Sequence, residues 1–321
     1  MKRVLANDGI DKTGKNLLEQ AGFFVETNKA PEGKLSETIQ QGNFDVLLVR
    51  SATKVTEQVM HECPGLKLIG RAGVGLDNID TGYAEKAGIK VVNTPAASSQ
   101  SVAELVFAHL FASVRFLHNA NHEMRKNETG RFNELKKAYS SGSELQGKTI
   151  GIIGFGRIGQ AVGKMALGLG MKVVASDPFI KEAELNFKII QTHQEIKVKI
   201  ITIPMSEVLQ QSDFISLHVP GKINGKALIG AEELTMMKQG AGIVNASRGG
   251  VIDEDALLNA LNSGHIRFAG LDVFENEPNP REDLLSHSRV CLSPHIGAST
   301  SEAQERIGVE MAESIIAFFQ N

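Results

Sequence analysis

Between Lys148 and Pro178 the sequence reads KTIGIIGFGRIGQAVGKMALGLGMKVVASDP, and its glycines are spaced to hold a dinucleotide. Each has a physical task. Gly154 permits a tight turn, Gly156 lets main chain approach a pyrophosphate with no Cβ in the way, and Gly159 lets a helix pack closely on the strand before it. Phe155, Arg157 and Ile158 complete the turn, and a helix opening near Arg157 would offer phosphates its free amides and positive dipole end. Asp177 follows about 20 residues on, where a carboxylate accepts hydrogen bonds from the adenosine ribose and repels the 2′-phosphate of NADP. The expected cofactor is NAD. Further along, Arg248 in GIVNASRGGVIDEDAL, Asp272 and Glu277 in FAGLDVFENEPNP, and His295 in CLSPHIGAST stand at the ends of apolar strands. In α/β folds that edge is where ligands bind.

These residues need a scaffold, and the pattern around them supplies one. Short aliphatic runs alternate with longer amphipathic stretches, the signature of parallel sheets covered by helices, so the expected class is α/β. A first series of strands is expected at 3–6, 23–26, 46–49, 66–70 and 91–93, with helical spacing at 13–20. From 101 to about 126 the spacing predicts one long helix, with Ser101 as N-cap and Glu104 completing a capping box. A polar stretch, 127–147, leads to a second series at 148–153, 172–176, 214–219, 243–246, 269–273 and 290–293. The last helix, 300–319, has no sheet after it and is expected to fold back on the first domain.

Length and composition agree. A chain of 321 residues exceeds what one core usually serves, so two domains are expected. With 34 basic and 37 acidic residues the charge nearly balances, and no global field draws in nucleic acid or an anionic membrane. An anionic substrate would need local cations. No stretch resembles a signal peptide or a membrane span, and two cysteines in unrelated contexts suit a reducing cytoplasm and no metal site.

With five ordered motifs spread over nearly the whole chain, the sequence resembles the D-isomer-specific 2-hydroxy-acid dehydrogenases: RAGVGLDNID, the Gly154 loop, SRGG, LDVFENEP and SPHIGAST. The resemblance implies two Rossmann-like doubly wound domains, a discontinuous substrate domain at 1–98 and 296–321 and an NAD-binding domain at 99–295. It implies that His295 exchanges the hydroxyl proton, and an imidazole suits that task. Glu277 would fix its tautomer and stabilise the imidazolium, and Arg248 would grip the substrate carboxylate and polarise the carbonyl oxygen. It places Asp272 against the nicotinamide carboxamide and His218, Val219, Pro220, Ala246, Ser247 and Gly297 along the cofactor. Val74 and Gly75 would offer amides to the substrate carboxylate. His109, His118 and His122, on the long helix, are expected to be packing or surface residues.

Within the family, VRSATKVT, RAGVGLDNID, NTPAASSQSVAEL and PHIGAST look most like the members acting on D-3-phosphoglycerate, in a short form without a C-terminal regulatory domain. Arg50 matches the position that meets the phosphate, with Ser51 beside it as a donor. Arg131, Lys136 and Lys137 are further candidate cations, reaching across a subunit boundary or forming a solvated loop. The alternatives are a hydroxypyruvate or glyoxylate reductase and, from another class, an NAD-sensing corepressor. The expected partner is a small anionic 2-hydroxy or 2-oxo acid, and the expected assembly a homodimer or tetramer. The segment 188–204 fits the family less well and has no functional reading.

Overall fold

A computed structural model of the chain describes residues 1–126, 130–189, 191–222 and 225–320. The start of the polar stretch at 127–129, and residue 190 within 188–204, lie outside the described residues. The chain is an α/β protein that divides into two Rossmann-like units, Met1–Ser101 with Ala298–Asn321, and Val102–Gly297.

In the first unit β1 (Arg3–Ala6), β2 (Phe24–Glu26), β3 (Val46–Val49), β4 (Leu68–Arg71) and β5 (Lys90–Asn93) form a parallel sheet in the order β2-β1-β3-β4-β5. The strand β3, VLLV, is buried at every residue, because helices cover both faces and remove any need for polar alternation. The helices Lys12–Gln20 and Ser301–Gln320 meet main chain to main chain, since a Cβ on Gly14 would run into the Gly308 carbonyl. Met311, Ala312 and Ile315 of the second helix are buried with Val4, Val46 and Leu68 of the sheet.

The second unit contains β6 (Thr149–Ile153), β7 (Lys172–Ser176), β8 (Glu182–Ile189), β9 (Gln194–Ile201), β10 (Phe214–Leu217), β11 (Ala241–Asn245), β12 (Ile266–Leu271) and β13 (Val290–Leu292). Six of these make a parallel sheet in the order β13-β12-β11-β10-β6-β7. The chain leaves β6 toward β7 and resumes at β10 on the other side. That reversal opens a crevice at the carboxyl ends of β6 and β10, the place where doubly wound sheets bind ligands.

Two elements differ from expectation. The single helix expected from 101 is two, Ser99–Val114 and Leu117–Arg125, broken at Phe116 in the left-handed region with φ 55°. The Phe116 ring lies against Tyr139 at 5.9 Å and under the Arg267 guanidinium at 5.5 Å, contacts that hold the turn from outside the helix. The second difference is β8 and β9, an antiparallel hairpin that begins before the segment 188–204 and places its second strand within it. Leu185 and Ile200 are buried with Val162 and Ala166 of the helix Arg157–Gly168, while Lys199 pairs with Glu182 at 2.6 Å on the outer face. Beyond the hairpin, the sheet position beside β7 shrinks to one bridge, Ala175 to Thr202. The polar stretch also holds a short helix, Phe132–Ala138. Among the described residues no single helix is long and apolar enough to cross a membrane.

Candidate active site

The chain leaves β6 at Gly154, whose φ of +90° and N–H hydrogen bond to the Ser176 carbonyl at 2.9 Å make the first turn. A Cβ here would run into the His218 carbonyl, so only glycine fits between β6 and the loop after β10. Gly159 is equally constrained, facing the Gly154 carbonyl. A Cβ on Gly156 would project into open space. Gly156 also caps the helix Arg157–Gly168 with no side-chain hydrogen bond, so the first amides have no partner from a cap. Open space, free amides and the positive dipole end together fit a bound pyrophosphate. Phe155 is buried in the core and carries no polar group to the crevice, whereas Arg157 is exposed and Ile158 half-buried at the helix start.

Asp177 does more than expected. Its Oδ2 accepts the Phe155 amide at 2.7 Å, and its Oδ1 accepts those of Phe179 at 2.9 Å and Ile180 at 3.0 Å. The carboxylate therefore ties the glycine turn to the end of β7 and keeps part of its accepting capacity for another donor. His218 donates its amide to the Ile153 carbonyl at 2.7 Å, and its Nε2 meets Ser216 Oγ at 2.8 Å. Burial pushes the imidazole pKa down to about 3, so the ring is neutral. Val219 is half-buried beside it and Pro220 exposed.

At the carboxyl end of β11, Asn245 organises the next turn. Its Oδ1 accepts the Ser247 amide at 3.0 Å and hydroxyl at 2.7 Å, and its Nδ2 donates to the Arg248 carbonyl at 2.9 Å. Sequence reasoning missed Asn245, although an asparagine closing a strand before a turn is a recognisable signal. Ser247, expected along the cofactor, has its hydroxyl engaged in this turn, and Ala246 is half-buried beside it. The Arg248 guanidinium donates to the Ser247 carbonyl at 2.7 Å through Nη1. Gly249 packs on the neighbouring loop so tightly that a Cβ would run into the Phe274 carbonyl. That loop carries Glu277, whose Oε1 accepts the Phe274 amide at 2.9 Å and whose Oε2 lies 2.7 Å from His295 Nδ1. Glu254, also missed, steadies it by accepting the Glu275 amide at 2.9 Å, and burial pushes its carboxyl pKa up.

His295 adopts φ +54°, a left-handed conformation that non-glycine residues rarely take. Its amide donates to the Asp272 carbonyl at 2.8 Å. A carboxylate only accepts, so Nδ1 carries the proton toward Glu277 and Nε2 has no partner among the described residues. The two side chains remain 41% and 34% exposed, open to a ligand. Asp272 is 1% exposed, and its carboxylate accepts the amides of Ile296 and Gly297, both at 2.8 Å.

Residues 107–297 match the family described as D-isomer specific 2-hydroxyacid dehydrogenase, NAD binding domain. The chain belongs to that family. It is an NAD-dependent D-2-hydroxyacid dehydrogenase, and its glycine crevice has the openness and free amides that NAD requires. It is 44% identical to the hydroxypyruvate reductase of Thermotoga maritima over 317 residues, 98% of this chain and 97% of that protein. It is 42% identical to the D-3-phosphoglycerate dehydrogenase of Methanocaldococcus jannaschii over 98% of its own length, but it spans only 57% of that relative. Among solved structures, the D-lactate dehydrogenase of Aquifex aeolicus, complexed with NAD and lactic acid, superposes with a TM-score of 0.75. That pair shares 29% identity over 100% of this chain and 96% of the other.

In the first unit of this dehydrogenase, Asp8 Oδ2 accepts the Arg50 amide at 2.7 Å, and Asn78 Nδ2 donates to the Arg50 carbonyl at 2.7 Å. Among the described residues the Arg50 guanidinium has no hydrogen-bond or ion-pair partner, and it lines a cavity of about 260 Å³ with Asp8, Asp11 and Gln304. Ser51 is exposed beside it. The amides of Val74 and Gly75 have no acceptor among the described residues, while the Val74 carbonyl accepts Asn93 Nδ2 at 2.6 Å. Arg131 is engaged with Glu123 at 3.2 Å and Glu134 at 3.4 Å, whereas Lys136 and Lys137 are exposed.

For a dehydrogenase built this way, replacing Asp177 with serine is expected to raise the ratio of kcat/KM for NADP to that for NAD by about tenfold or more, the factor that 1.4 kcal/mol of lost discrimination gives. Loosening the Phe155 turn slows both cofactors and leaves their ratio alone. Steady-state kinetics with the two cofactors separate these effects, and an unchanged ratio would exclude Asp177 as the ribose ligand.

Proposed function

We propose that the chain oxidises D-3-phosphoglycerate to 3-phosphohydroxypyruvate, with NAD supplying the hydride acceptor. His295 Nε2 takes the hydroxyl proton, and Glu277, 2.7 Å from Nδ1, stabilises the imidazolium that results. Arg248 holds the carboxylate and the reacting oxygen, and in the first unit the amides of Val74 and Gly75, without an acceptor among the described residues, are donors available to an anionic group. Asp272, Gly297 and the residues around His218 line the cofactor. The observation that carries the substrate is Arg50, a half-buried guanidinium that is the one cation lining its cavity and has no hydrogen-bond or ion-pair partner among the described residues, which suits a distal phosphate with Ser51 as a further donor.

Reduction of hydroxypyruvate is the second reading, favoured by the end-to-end match to the Thermotoga enzyme. That substrate has no phosphate for Arg50 to meet. A charge-assisted contact is worth about 1.5–3 kcal/mol, or roughly 10- to 150-fold in kcat/KM. Purified protein should therefore prefer D-3-phosphoglycerate with NAD, product trapped, over D-glycerate by that factor, and Arg50→Ala should abolish the preference through KM. Turnover confined to hydroxypyruvate or glyoxylate with NADH would replace the first reading with the second.

The first unit is proposed as the substrate domain and the second as the NAD-binding domain, consistent with the match over 107–297. Exposed Leu117, Met124 and Phe132 suit burial in a homodimer or tetramer, whose mass light scattering would report. Cys63 and Cys291, both buried thiols, fit the reducing cytoplasm.

A further inference from the structure

We propose that His109 and Ser293 form, with Asp272, a buried relay that positions the His295 backbone and so aligns its imidazole with the substrate. The proposal rests on the reading of His295 as the proton-transfer group.

His295 holds a left-handed conformation that its own side chain disfavours, and such a conformation persists only where the surroundings over-determine it. Here one residue does so. The amides of His295, Ile296 and Gly297 all donate to Asp272, the first to its carbonyl and the others to Oδ1 and Oδ2, each at 2.8 Å. The three-residue turn is therefore as well placed as the Asp272 carboxylate is.

That carboxylate is itself held from behind. Ser293 Oγ lies 2.6 Å from Oδ1, and His109 Nε2 lies 2.8 Å from Ser293 Oγ. His109 projects from the helix Ser99–Val114 and is 3% exposed. The neighbouring strand β12 makes room for it with Gly270, where a Cβ would come within 2.8 Å of the His109 Cβ and 3.0 Å of its Cγ.

Chemistry sets the direction of the chain. An ionised carboxylate only accepts, so the Ser293 hydroxyl donates to Asp272, and Ser293 Oγ must accept from His109. The proton on His109 is then at Nε2, and its shielded Nδ1 is left without a partner among the described residues. Burial lowers the His109 pKa, which keeps the ring neutral as this arrangement needs. A leucine would fill the space but could not donate. His109 was expected to be an ordinary packing or surface residue of its helix; it packs, and it also closes a hydrogen-bonded path to the catalytic turn.

The test uses Ser293→Ala, His109→Leu, His109→Gln and the His109→Leu/Ser293→Ala pair, with His295→Gln as control. A misplacement near 1 Å costs about 10²-fold in rate at worst, so Ser293→Ala and His109→Leu should each lower kcat by about 10-fold or more, with KM for substrate and for NAD little changed. The double variant should lose no more than the worse single, because the two act through one carboxylate. His109→Gln keeps an N–H donor and should recover most of the loss. Thermal unfolding of each variant accounts for any that is simply destabilised. Wild-type kcat in Ser293→Ala, additive losses in the pair, or a His109→Gln as slow as His109→Leu would each overturn the relay. If His295→Gln itself turns over normally, the reading beneath the relay fails; if only the control is slow, the relay alone fails.

Discussion

Replacing His295 with glutamine is expected to lower kcat by about two to four orders of magnitude, the share that a positioned acid–base group contributes, while NADH still binds. Glutamine keeps the polarity and roughly the size of the imidazole, and the main-chain bond from residue 295 to the Asp272 carbonyl does not depend on the side chain. What it lacks is a ring nitrogen that can take and return a proton, and Nε2 is the one without a partner among the described residues. The crevice proposed to hold the cofactor is built from the Gly154 turn, Asp177 and the loop after β10, none of which is hydrogen-bonded to the His295 side chain among the described residues. Fluorescence titration with NADH should therefore match the parent protein. Near-normal turnover in this variant would remove His295 from the chemistry.

Arg248→Ala is expected to be of comparable severity, but with a different signature. Truncating one partner of a charged hydrogen-bonded pair costs about 2–5 kcal/mol, roughly 30- to 5,000-fold in kcat/KM. The loss should appear in KM, because the substrate carboxylate is held in the ground state, and in kcat, because charge on the reacting oxygen develops in the transition state. Arg248→Lys should recover only part of the KM effect, since an ammonium lacks the planar fork. The Arg248 turn is fixed by Asn245 through main-chain bonds, so the variant keeps its loop and the comparison stays clean. Values of kcat and KM both within twofold of the parent would exclude the proposed role.

The parts of the site that were legible in the sequence are those whose physics is local. Gly154 and Gly159 answer to a turn and a close approach that the spacing itself describes, and the buried runs β3 and β11 show as aliphatic stretches whichever residues surround them. What escaped was set by distant contacts. Apolar spacing runs unbroken through Phe116, and the break there depends on Tyr139 and Arg267. The hairpin β8–β9 has the period-2 pattern of a half-buried sheet, with Leu185 inward and Glu182 and Glu184 outward, but its tip lacks the short glycine turn that announces a hairpin. Asp177 follows β7 directly, as its place in the sequence implies, yet its hold on the Phe155 amide belongs to the folded loop. Likewise nothing in the sequence near His109 points to Ser293, which lies 184 residues away.

The main-chain contact between Gly14 and Gly308 bears on the order in which the molecule is made. Val4, Val46 and Leu68 share their core with Met311, Ala312 and Ile315, so that face of the first sheet stays partly uncovered until the helix Ser301–Gln320 has been synthesised. The second unit is contiguous and closes without it. At about 5–20 residues per second, the intervening 102–297 take on the order of 10 to 40 seconds to synthesise. The unit whose synthesis begins first thus completes its core only after the second has been made, and during that interval its sheet keeps an apolar face open to solvent.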